Sequence, residues 1–149
     1  MRVETIEGEG GYGTVSVFAD YVVRPPRIRL YARPIARLDR HLGDYPDRDR
    51  LGDGGTRPVF VAHELFHHLE GLDPARALAR RQRVATWTVG PLRLTTSLAS
   101  LAEIAAGAFA QSLLGLRHHP KLLDVVALFD GDPVAAERLV GRLLEAPSG

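Results

Sequence analysis

The chain contains no cysteine. That excludes disulfides, thiolate metal ligands and a cysteine nucleophile, so any metal or nucleophilic chemistry must come from nitrogen and oxygen donors. Net charge is also nearly absent, with 19 Lys and Arg against 18 Asp and Glu, a formal +1. Nothing in that balance points to nucleic acid or to an anionic membrane as partner. Long hydrophobic runs are missing too. The longest, around residues 98 to 116, is interrupted by Glu103 and Gln111. A bilayer span needs about 20 predominantly apolar residues, so a buried core helix is the better reading. Residues 1 to 13, "MRVETIEGEGGYG", lack the basic and apolar regions of a secretory signal. The expected location is the cytoplasm, and the first 13 residues are expected to form a loose tail.

What remains is an ordinary globular composition, 45% apolar and 25% charged over 149 residues. A single domain, 1–149, of this length buries roughly 68–70% of the surface its unfolded chain exposes, enough for a core without covalent staples. The stretch "TVSVFADYVV" (14 to 23) is β-branched and aromatic, and "RIRLYA" (27 to 32) alternates charged and apolar residues. Both read as strands joined at Pro25-Pro26, the second near a sheet edge because prolines bracket it. Helical patterns are expected over 34 to 42, 57 to 69 with Gly71 as C-cap, 73 to 83 from an Asp73 N-cap, 97 to 115, 120 to 129 and 132 to 146. Residues 43 to 58 read as a loop. The stretch 84 to 96 is β-like, broken at Gly90-Pro91 into a hairpin or a bent strand. Strands early and helices late give an α+β domain.

One stretch carries chemistry. "VFVAHELFHHLEG" (59 to 71) contains His63-Glu64-Leu65-Phe66-His67, an H-E-x-x-H sequence. On a helix, residues four apart share a face with Cβ atoms about 5–6 Å apart, so two imidazole nitrogens converge on one ion. A zinc ion takes such ligands, and Glu64 beside it is placed to act as general base toward a water. With 6 histidines and the glutamates of this composition, random placement produces the pattern in about one such chain in eighty, so composition alone does not account for it. The alternative is a charged helix edge making ordinary i,i+4 contacts.

Two histidines and a water leave a catalytic zinc one protein ligand short. Glu103 is the candidate, a carboxylate inside "SLASLAEIAAGAFAQSLLGL", where the core side of the helix would require it to be neutral or paired. The competing reading is a capping box from Ser100 to Glu103. A donor toward a developing oxyanion is also needed, with His118, His119, Tyr31 and Tyr45 as candidates. His118-His119 before Pro120 reads more simply as a solvent-facing turn, and His68 as a packing or surface residue.

"AHELFHHLE" and "EIAAGAFAQSLL" resemble the paired signatures of gluzincin-type zinc metallopeptidases, in particular the compact minigluzincins and ImmA/IrrE-type proteins, over roughly residues 14 to 115. The resemblance implies a zincin-like fold, with a small twisted, mainly antiparallel sheet, the H-E-x-x-H helix, a glutamate helix and extra C-terminal helices. It also implies one zinc ion on His63, His67 and Glu103, Glu64 as catalytic base, and a protein or peptide substrate laid along a sheet edge. A metal-binding protein of the same fold, with a regulatory or partner-binding role and little catalysis, is the alternative. One departure stands out. Many gluzincins carry an acidic or amide residue four after the ligand glutamate, and here that position is Gly107.

Overall fold

The computed structural model describes residues 1–12, 15–73, 88–89, 92–93, 99–131 and 134. A three-stranded mixed sheet, β1 (Arg2–Ile6), β4 (Ala19–Val22) and β5 (Arg27–Tyr31), has the order β1-β5-β4. β5 runs parallel to β1 and antiparallel to β4. β2 (Gly11–Tyr12) and β3 (Val15–Ser16) form a small antiparallel pair.

Two expectations fail here. The N-terminal segment is not a loose tail over its whole length, because residues 2 to 6 form a strand. Its side chains are mostly exposed, so backbone pairing with β5 holds it rather than burial of its own. That pairing also makes β5 the central strand instead of an edge. Its alternation is real, with Ile28 and Leu30 buried on one face, but the flanking prolines sit beyond the ladder and cost it no hydrogen bond. The expected single strand 14 to 23 is divided between β3 and β4.

After the sheet come α1 (Ala32–Arg40), the short α2 (Arg48–Leu51), α3 (Arg57–Leu72), the hairpin β6 (Thr88–Val89) and β7 (Leu92–Arg93), α4 (Ala99–Leu114) and α5 (Leu122–Gly131). α1 begins two residues ahead of the sequence expectation, and Pro34 falls in its first turn, where a missing N–H leaves no helical bond unmade. α2 lies within the region expected to be a loop. Within the β-like stretch 84 to 96, the described residues pair antiparallel, Thr88 with Arg93 and Val89 with Leu92. The expected helices 73 to 83 and 132 to 146 fall outside the described residues, except for Asp73 and Val134. Among the described residues no helix is long and apolar enough to cross a membrane.

α3 runs past Gly71, the expected cap, to Leu72. A glycine of positive φ closes a helix instead after α4. Gly115 has φ 64, and Leu116 N–H donates to Gln111 O at 2.9 Å, closing that helix with a Schellman-type turn.

Two apolar clusters hold these elements. Leu38, Leu42, Tyr45, Leu51, Val59, Leu116 and Leu123 join α1, α3 and α5, while Ile28, Leu30 and Ile35 join the sheet to α1. Phe18 and Phe60 stack with centroids 4.9 Å apart and pack against both clusters. The start of α3 is fixed by Asp39, whose Oδ1 accepts from Thr56 N–H and Thr56 Oγ1, both at 2.9 Å. Thr56 is fully buried. Asp39→Ala would leave that buried N–H and hydroxyl unpaired and should lower stability by about 1–3 kcal/mol, read as a fall in the urea midpoint at pH 7. An unchanged midpoint would mean water replaces the carboxylate.

Candidate metal centre

α3 packs chiefly against α4 on one side and against β4 and β5 on another. His63 and His67 lie one helical turn apart on the side of α3 that meets α4, their rings edge to face with centroids 5.0 Å apart. Glu103, in the second turn of α4, reaches across the seam. Its Oε2 lies 3.0 Å from His63 Nε2 and its Oε1 lies 3.3 Å from His67 Nε2, while the two Nε2 atoms are 3.3 Å apart. Among the described residues these three form the only cluster of His, Asp or Glu side chains arranged to hold a metal ion.

The distances test whether an ion fits. Bonds of about 2.0–2.1 Å to a tetrahedral centre put neighbouring ligand atoms about 3.3–3.4 Å apart. The observed separations of 3.0–3.3 Å are of that order, with His63 facing one carboxylate oxygen of Glu103 and His67 the other. Each neutral imidazole can place its proton on Nε2 and donate to one oxygen of Glu103, whereas an ion would use both Nε2 lone pairs together with the carboxylate. Burial, the largest influence on His63, lowers its pKa against the opposing pull of Glu103, favouring the neutral imidazole that a metal requires. Glu64 is pushed up to about 7, first by burial and then by the charges of Glu103 and Asp20. A cation would relieve this crowding of acceptors and negative charge.

Glu103 departs from the expectation of a core-facing carboxylate. Its side chain is 58% exposed, not turned into a core. Its partners are the two imidazoles rather than its own helix N-terminus, since it stands four residues after the first residue of α4. α3 is likewise only half-buried around the motif, with Val59 and Ala62 its buried positions.

Beside the triad opens a cavity of about 770 Å³. Glu64 lines it together with His63 and Glu103, and its walls include Phe18, Val59, Phe60, Ile104, Pro120 and Leu123. β4 is an edge of the three-stranded sheet, and its first residue, Ala19, also lines the cavity. Tyr21 in β4 shares a hydrogen bond of 2.8 Å with His68 Nδ1, tying this edge to the helix that bears the histidines. That assigns His68 to packing, as its position in the motif suggests.

Of the four candidate oxyanion donors, only His119 lines the cavity. Tyr45 is in the core, Tyr31 donates to Asp20 at 3.0 Å and His118 Nδ1 lies 3.2 Å from Asp47. The expected solvent-facing turn holds for His118, which is exposed, while His119 is half-buried against α4, and the turn is anchored by Asp47. This fully buried carboxylate accepts from Arg117 N–H and Arg117 Nε–H on one oxygen and from His118 N–H on the other. Sequence reasoning passed over Asp47, since its partners are 70 and 71 residues away.

Comparison with protein-family models, curated proteins and solved structures finds no match to this chain.

Proposed function

We propose that the chain is a zinc-dependent peptidase in which His63, His67 and Glu103 hold the ion and Glu64 is the general base. The observation that carries this reading is the convergence of both Nε2 atoms and the Glu103 carboxylate, with contacts of 3.0–3.3 Å, beside an open cavity. When bound, zinc supplies Lewis acidity toward a peptide carbonyl and makes water nucleophilic near neutral pH. The chain's own residues do the rest. Glu64 accepts a proton from the attacking water as its oxygen bonds to the carbonyl carbon, and passes it to the amine as the C–N bond breaks. The edge of β4 offers backbone groups to an extended peptide, and the Phe18–Phe60 wall suits a bulky apolar side chain next to the scissile bond.

A second reading, a metal-binding protein that turns over little, is favoured by one observation. Both ring nitrogens of His119, the one oxyanion candidate at the cavity, are engaged with the protein's own backbone. The two readings part on activity. The first expects zinc-loaded protein to cleave unstructured peptides beside Phe or Leu and to stop when zinc is chelated; the second expects zinc binding without cleavage. In either case Glu103→Ala should weaken zinc binding by roughly a hundredfold, measured by competition with a chromogenic chelator. Unchanged affinity would remove Glu103 from the site.

A further inference from the structure

The geometry points to His119 as a positioning residue that clasps the turn of α4 bearing Glu103, in a socket that exists because position 107 is glycine. Lys121 N–H donates to His119 Nδ1 at 3.1 Å. That bond needs a lone pair on Nδ1, so the neutral ring carries its proton on Nε2. Nε2–H in turn donates to the carbonyl of Ile104, the residue following Glu103, at 3.2 Å.

The ring lies flush against the helix. A Cβ built at Gly107 would stand 2.3 Å from His119 Cε1 and 2.5 Å from its Nε2, a separation no side chain tolerates. Gly107 is buried and has no positive φ, so backbone conformation does not demand glycine there. Glycine inside a helix costs about 1 kcal/mol relative to alanine. Space for the imidazole is the physical reason for it. The glycine that departs from the gluzincin pattern is thus half of a contact that reaches the ligand turn from a different direction.

The clasp matters because Ala102 and Ala106 bury only one side of that turn. Leu101 is 40% exposed and Ile104 59%, so α4 is not pinned by packing on its outer side. The loop that carries His119 is itself held. Asp47 fixes Arg117 and His118, and Pro120 is buried. Support therefore runs from the buried carboxylate of Asp47 through residues 117–118 to the ring of His119, and from there to the backbone beside Glu103. With both nitrogens occupied, His119 acts through Glu103 rather than on substrate.

The contact itself stands on geometry alone; its consequence for zinc rests on the function proposed above. Two readouts on the full-length chain separate them: amide hydrogen exchange of residues 103 to 108 without metal, and zinc affinity. His119→Ala should speed exchange in that turn and weaken zinc binding, each by about tenfold, while exchange in β5 and α1 stays unchanged. His119→Gln, whose amide accepts from Lys121 and donates to Ile104, should restore most of both. Gly107→Ala should reproduce the loss in the native background and add nothing in the His119→Ala background, where the ring is gone.

Native exchange and zinc affinity in His119→Ala would overturn the clasp, as would a Gly107→Ala effect of the same size in both backgrounds. Accelerated exchange at 103 to 108 in a protein that binds no zinc would uphold the clasp and refute the metal reading.

Discussion

Glu64→Gln should lower peptide hydrolysis by about a thousandfold while leaving zinc bound, because the amide preserves shape but cannot take a proton from water. The substitution should not weaken the fold. Burial, with the charges of Glu103 and Asp20 behind it, already disfavours the ionised carboxyl and pushes it up to about 7, so a neutral amide is no worse a tenant at neutral pH. The measurement is kcat on a cleaved peptide together with zinc content and the urea midpoint. Undiminished turnover would assign proton transfer to another group. A biological effect that persists after turnover is lost would favour the non-catalytic alternative.

The second large effect is on stability. Asp47 is fully buried, and burial alone would raise its pKa. Hydrogen bonds from the side chain and backbone of Arg117, then from His118, outweigh that and hold it at about 2. An asparagine accepts on one side only and turns two hydrogens toward the donors of the other, so Asp47→Asn should cost about 3 kcal/mol at pH 7. The sign with pH follows from a folded pKa below the unfolded value of about 3.9. The stabilisation is complete above roughly pH 4 and disappears as pH falls toward 2, because the unfolded chain takes up the proton first. Urea titrations of both proteins across this range should converge at low pH. A constant gap would mean that packing, rather than charge, accounts for the loss. Because Asp47 anchors the residues before His119, the same variant should also loosen the clasp on α4.

How much of this was legible depended on whether the signal was local. The helix 57 to 72 announces itself by its apolar content and the fourfold spacing of His63 and His67, and a helix spanning Glu103 follows from the Leu- and Ala-rich run. The closeness of Glu103 to both imidazoles is what a three-ligand site requires, and burial does not signal it, since the side chain is 58% exposed. β1 is hard to read because it is held by pairing with β5 and its less exposed positions, Glu4 and Ile6, combine a charged with an apolar side chain, so no apolar face shows. The inward turn of His119 was hidden for a similar reason. "RHHP" looks like a surface turn until Asp47, about 70 residues earlier, is known to bind it. One local clue was available. Gly107 in the middle of a Leu/Ala helix marks a close approach by another group, here an imidazole ring.

The α+β class holds, with a mixed three-stranded sheet in place of a mainly antiparallel one. The mixture arises from the N-terminal strand alone. The antiparallel half, β4 and β5, is the part that adjoins the histidine helix, so the correction leaves the neighbourhood of the candidate centre unaltered.

The most direct test is the metal itself, measured as zinc per chain in purified protein with its ligands identified by X-ray absorption. Two imidazole nitrogens and a carboxylate oxygen on one zinc, with the oxygen contribution changed in Glu103→Ala, is the predicted result. A protein that takes up no zinc, or binds it equally well without His63, His67 and Glu103, contradicts the account.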